Sequence, residues 1–150
     1  MTETAALSTL TSWLRNFAGV VVENRTYLTD LDSAIGDADH GANMARGMQG
    51  VVAMLDAEEP TAVDALFKKV GMTLVSTVGG ASGPLYGTFF MKFGVQGGSG
   101  ASLDASQLGA ALRAGMDGVV ARGKAALDDK TMIDAMSPAL EAWDQALDEG

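Results

Sequence analysis

The chain contains no cysteine, so no disulfide staples it and no thiolate can bind a metal. It has three prolines and a single histidine, His40. No apolar run approaches the roughly 18 residues that a membrane-crossing helix needs. The N-terminal stretch MTETAALSTL lacks the basic segment of a signal peptide. These absences fit a cytoplasmic protein with no membrane partner. Positive charge is scarce too: 10 Lys and Arg stand against 19 Asp and Glu, a net charge of −9. Such a surface repels phosphodiester backbones, and no basic stripe offsets it, so nucleic acid is excluded as a partner. Strand-like alternation is also missing, which removes the all-β and α/β classes.

What remains is apolar, helical and rich in glycine. The 150 residues make one ordinary domain, and a hydrophobic share of 47% is enough to give it a core. Leu10, Trp13, Leu14, Phe17, Val20, Val21 and Leu28 fall on one face of a long first helix. A second starts near Gly41 to Asn43, with Met44, Met48, Val51 and Leu55 inward. A third, N-capped by Thr61, buries Val63, Leu66, Phe67, Val70 and Leu74. A fourth opens at SGPL, where Pro84 suits a first turn, and carries Phe89, Phe90 and Phe93. A fifth starts near Asp104. The last runs from about Met132 to Leu147 with Ile133, Met136, Leu140 and Trp143 inward, and Pro138 bends it or marks its start. The expectation is an all-α, antiparallel up-and-down bundle of about six helices. That connectivity places three loops at one end: Thr29 to Ala42, Val78 to Gly83, and GKAALDDKTM.

The first of these loops carries LDSAIGDADHGANMARG. Asp30, Asp32, Asp37 and Asp39 crowd it, with no Lys or Arg before Asn43. In an extended loop Asp37 and Asp39 point to the same side, and Asp32 can join them. Carboxylates held together without cations need metal ions or protons, and a hard all-oxygen set favours Mg²⁺ or Ca²⁺. The alternative is a set of solvated loop acids with an N-cap. An EF-hand fails, because the twelfth position counted from Asp37 is Met48 and not a glutamate. A helix N-terminus follows at once, offering free N–H groups to an anion, and Gly41 lets a ligand approach the backbone. His40 serves either as a phosphate donor or as a structural hydrogen-bonder.

The second loop, VGGASGP, offers a nest of N–H groups from Gly80 to Gly83 and the Ser82 hydroxyl. The same residues would also make a plain helix-to-helix turn with Ser82 as N-cap. GVVARGKA nearly matches a P-loop, but Ala125 stands where Ser or Thr must bind Mg²⁺, and it follows a helix.

Three blocks, LDSAIGDADHGANMARG, GMTLVSTVGGASGPLYGTFF and DGVVARGKAALDDKTM, together resemble the DhaL family, the nucleotide-binding subunit of bacterial dihydroxyacetone kinase. The similarity runs along nearly the whole chain in order. It implies a helical barrel with a nucleotide at one end. It implies a pair of Mg²⁺ ions on Asp32, Asp37 and Asp39, and contacts to ADP or ATP at His40, Gly41, Ala42, Asn43, Ala81, Ser82, Gly123 and Met132. No residue of this chain is expected to become covalently modified, because phosphoryl transfer needs mainly positioning and charge neutralisation.

The partners implied are a subunit that holds dihydroxyacetone and a phosphohistidine donor of the phosphotransferase system. Homodimer formation stays open, and so does the use of free ATP. A start at Met1 favours a separate subunit over a fusion. The family continues with two more helices and a lid. Residues 1–150 are therefore expected to form one nucleotide-binding domain truncated at its C-terminus, with about six of the family's eight helices. Trp13, Phe17, Leu140 and Trp143 are expected to lie partly uncovered. Two competing functions remain: a kinase domain for another acceptor, such as a short ketose or a fatty acid on a carrier protein, and a non-catalytic module that binds nucleotide or a partner.

Overall fold

The computed structural model describes residues 3–150. Among them are seven helices and two short strands. In chain order these are β1 (Thr4–Ala6), α1 (Leu7–Glu23), α2 (Arg25–Ser33), α3 (His40–Ala57), α4 (Val63–Thr77), α5 (Ser82–Gly97), β2 (Ser102–Asp104), α6 (Ala105–Gly123) and α7 (Ile133–Glu149). Successive helices from α3 onward are spatial neighbours, and α1 packs on α3. This is the expected all-α bundle.

The expected inward faces of the second and third helices hold. Met44, Met48, Val51 and Leu55 are buried, as are Val63, Leu66, Phe67, Val70 and Leu74. Phe67 and Phe93 meet with ring centroids 4.3 Å apart, and Trp13 lies about as close to Phe90 as to Phe93, at 5.9 and 5.8 Å. The fifth helix opens as expected. The Asp104 side chain accepts from Gln107 N–H and the Gln107 side chain accepts from Asp104 N–H, a reciprocal cap.

Four expectations need correction. The first helix is two: at Asn24 the side-chain Nδ2 donates to the Val20 carbonyl, competing with the helical ladder, and α2 restarts one residue later. Val20 therefore faces solvent at 56% exposure. Thr61 is not an N-cap. The first N–H groups of α4 instead donate to the Gly100 and Gly98 carbonyls, at Val63 and Asp64. The strands were not foreseen. β1 pairs antiparallel with β2, Ala5 opposite Leu103, which ties the start of α1 to the start of α6. Of the residues expected to lie partly uncovered, Trp13, Phe17 and Trp143 are half-buried as expected, and Trp13 and Phe17 line an apolar cavity of about 260 Å³ with Tyr86, Phe89 and Met132, but Leu140 is buried.

Candidate phosphate and metal site

Three helix ends meet at one end of the bundle: the start of α3, the end of α4 and the start of α5. Oγ of Ser82 lies 3.0 Å from Nδ1 of His40, and the backbone of Gly79 packs against the Asn43 amide. The two loops expected to share an end therefore touch. The third loop reaches the same side of the molecule: Gly123 abuts Leu85, and Met132 shares the apolar cavity with Tyr86. Both neighbour the early part of α5.

The acids converge. Asp32, Asp37 and Asp39 each offer a carboxylate oxygen within 4.8 Å of the others. Asp32 is not in the loop, as its spacing suggested, but on the last turn of α2. Its Oδ2 accepts from the N–H groups of Asp39 at 3.0 Å and His40 at 3.3 Å, which folds the loop back over the helix end. Those backbone donors, the Asp39 N–H foremost, hold the Asp32 carboxyl below its ordinary 3.8. Asp37 moves the other way, pushed up chiefly by sharing a hydrogen bond with the Asp39 carboxylate. Three carboxylates this close, one of them with a raised pKa, make an environment that a cation would relieve.

The loop-acid alternative assigns Asp39 to capping α3. Asp39 does stand at the N-cap, but its side chain makes no capping bond. Its carboxylate stays available for a cation. Ser82 is no cap either: Ala81 holds that position, and the Ser82 hydroxyl turns to His40. The N-cap residues of α3 and α5 thus make no capping bond through their side chains, and the first N–H of α3 is met instead by Asp32. Gly80 makes the turn into α5 in the left-handed region, at φ +66°.

Gly41 has a packing role besides the one expected. A Cβ there would overlap the carbonyl oxygen of Arg25 and crowd the Thr29 hydroxyl. The glycine lets α3 cross α2 in backbone contact, which seats Asp32 beside the acid loop. Sequence reasoning missed Arg46 altogether. An exposed arginine on a helix reads as solvated, yet Nε donates to Thr77 O at 2.8 Å and Nη2 to Asn43 Oδ1 at 2.7 Å.

Comparison with known proteins bears on the fold and the family. Residues 34–150 match the DAK2 domain model. The chain is 46% identical over 133 residues to the PEP-dependent dihydroxyacetone kinase 1, ADP-binding subunit DhaL, of Listeria innocua, covering 89% of this chain and 67% of that one. It is 43% identical over 140 residues to the corresponding subunit of Escherichia coli, covering 93% and 67%. Its fold superposes on the crystal structure of the dihydroxyacetone kinase from C. freundii in complex with AMP-PNP and Mg²⁺. The TM-score is 0.77 and the identity 26%, over 94% of this chain and 26% of that one.

Proposed function

Because the chain belongs to the DAK2 domain family, we propose that it serves as the Mg²⁺-dependent nucleotide-holding subunit of a dihydroxyacetone kinase. The observation that carries this reading is the convergence of Asp32, Asp37 and Asp39 beside two helix N-termini that are joined through His40 and Ser82 and whose own N-cap side chains make no capping bond. A cation site next to an anion site suits a metal-bridged polyphosphate and little else.

In this reading the three carboxylates hold Mg²⁺, which when bound neutralises charge on the phosphate oxygens. Ser82 and His40 donate hydrogen bonds to those oxygens, and so do the Asn43 amide and the backbone at Gly41, Ala42 and Ala81. Gly123 and Met132 flank the far side of the nucleotide. The chain contributes position and charge. The acceptor, dihydroxyacetone, is carried by a partner subunit, and its hydroxyl attacks the terminal phosphorus as the bond to the ADP oxygen breaks. Recharging of the bound ADP by a phosphohistidine donor completes the cycle. No helix among the described residues is long and apolar enough to cross a membrane.

The test is Asp37→Ala. Calorimetry should show Mg-ADP binding abolished while helical circular dichroism is retained. Unchanged affinity would remove Asp37 from the site. Reconstitution with the dihydroxyacetone-holding subunit and the phosphodonor, read as phosphorylated ketose, separates a working kinase subunit from a module that only binds.

A further inference from the structure

We infer that Arg46 is a positioning residue, which locks the Asn43 amide so that its NH₂ group, and not its oxygen, faces the phosphate site. The inference rests on the nucleotide reading above and deepens it. Asn43 is the one polar residue among the described residues that is buried, 8% exposed. An amide in such a place has two orientations of nearly equal shape, and they present opposite partners to an anion: a donor in one, an acceptor in the other.

Arginine removes the choice. A guanidinium donates and never accepts, so the amide atom 2.7 Å from Arg46 Nη2 must be Oδ1. The opposite atom, Nδ2, has no acceptor among the described residues and keeps contact with solvent. Gly79 leaves room for this: its Cα side lies flat against the amide, and a Cβ would stand 3.1 Å from both Oδ1 and Nδ2. The same guanidinium donates through Nε to the Thr77 carbonyl at the last residue of α4. A cation that bonds a helix-end carbonyl is well placed electrostatically. One rigid fork thereby fixes the end of α4, the loop from Val78 to Ala81 and the amide of Asn43 relative to one another. Lysine has no planar fork to span both acceptors.

The test compares Arg46→Met, Asn43→Ala and the double variant, with Arg46→Lys as the conservative change. Mg-ADP and adenosine affinities are measured by calorimetry, and the Asn43 side-chain amide is followed by ¹⁵N NMR in the nucleotide-free protein. Losing a donor to a charged acceptor weakens binding roughly tenfold or more. Arg46→Met and Asn43→Ala should each weaken Mg-ADP to that extent and leave adenosine unchanged. The double variant should be no worse than Asn43→Ala alone, and Arg46→Met should shift the Asn43 amide signal. Additive losses would mean that Arg46 meets the nucleotide itself, and would overturn the inference. So would an Asn43 amide signal unmoved by Arg46→Met. If that signal moves while Asp37→Ala leaves Mg-ADP affinity unchanged, the lock stands and the nucleotide reading falls. If Asp37→Ala abolishes binding and Asn43→Ala does not weaken it, the nucleotide reading stands and the role of the lock falls.

Discussion

Ser82 Oγ and His40 Nδ1 lie 3.0 Å apart, a contact between side chains 42 positions distant that joins the first residue of α5 to the first residue of α3. It places a hydroxyl and an imidazole over the same two helix N-termini. Ser82→Ala should therefore cost the site twice, in a phosphate donor and in the group that orients the His40 ring. Hydrogen bonds to charged acceptors are worth about 1.5–3 kcal/mol, so Mg-ADP affinity should fall at least tenfold. Adenosine, which lacks phosphate, should bind almost as before. Calorimetry with both ligands checks this, and equal losses would reduce Ser82 to a structural link between helices.

The acid cluster predicts opposite signs with and without metal. Without cations Asp37 stands close to two other carboxylates; the hydrogen bond it shares with Asp39 raises its pKa first, and the repulsion from Asp39 and Asp32 adds to it. Asp37→Asn should raise the melting temperature in metal-free buffer at neutral pH. The same variant should lose the stabilisation that Mg-ADP gives the native chain. A ligand at one hundred times its Kd stabilises the folded state by about 2.7 kcal/mol. For 150 residues that is a shift of roughly 5–10 °C. Scanning calorimetry of both proteins, with EDTA and with Mg-ADP, reads the two effects. A native melting temperature indifferent to Mg-ADP would count against a competent site.

Much of this arrangement is legible in the sequence because helical periodicity is long-ranged and robust. The faces of α3 and α4 follow from apolar spacing alone, and Asp37 and Asp39 follow from charge density between glycines. What escaped has physical causes. The strands β1 and β2 are three residues each, too short for alternation to register, and they exist because each is the other's partner. The break at Asn24 is made by a side chain bonding back to Val20 O, with no glycine or proline to mark it. Arg46 looks like any solvated arginine until folding brings Thr77 O to its fork, 31 residues away. Gly41 was legible as a special position, but its packing reason, the Arg25 carbonyl, lies on another helix.

The glycine content has a packing consequence of the same kind. A Cβ at Gly71 would stand 2.7 Å from the Gly87 carbonyl oxygen, and one at Gly87 would stand 2.9 Å from that of Gly71. The helices α4 and α5 cross through this reciprocal pair. Alanine is the better helix former by about 1 kcal/mol, so local propensity alone favours substitution. Overpacking a backbone-to-backbone contact costs about 1–3 kcal/mol, and here it should win. Gly71→Ala and Gly87→Ala should each lower the melting temperature, and the double variant should lose less than the sum, since one shift of α5 relieves both clashes. Denaturant unfolding of the three variants measures this. A stabilised Gly71→Ala would show that the helices have slack at the crossing.

The loop from Lys124 to Met132 carries a pH signature whose sign can be worked out. Lys124, Asp128 and Lys130 lie in the left-handed region, at φ 57°, 72° and 59°, a conformation that non-glycine residues adopt at a cost. Asp134, in the first turn of α7, holds the loop there: its carboxylate accepts from Asp128 N–H at 2.7 Å and from Thr131 N–H at 2.9 Å. Those bonds, the Asp128 N–H first, lower its pKa below the ordinary 3.8. A carboxyl whose folded pKa lies below its unfolded value adds stability that is fully present above the unfolded value. That stability is lost as pH falls through the folded one. At neutral pH, Asp134→Asn should therefore melt below the native protein, because one amide oxygen replaces two charged acceptors. As the pH drops below about 4, protonation weakens the native anchor too, and the two melting curves should draw together. Met132 lies next to this anchor, so under the proposed nucleotide reading the variant should also hold Mg-ADP more loosely while keeping its Mg²⁺ dependence. Thermal melts of both proteins from pH 7 to 3 decide the point. A gap that stays constant across that range would mean that the Asp134 charge does not anchor the loop.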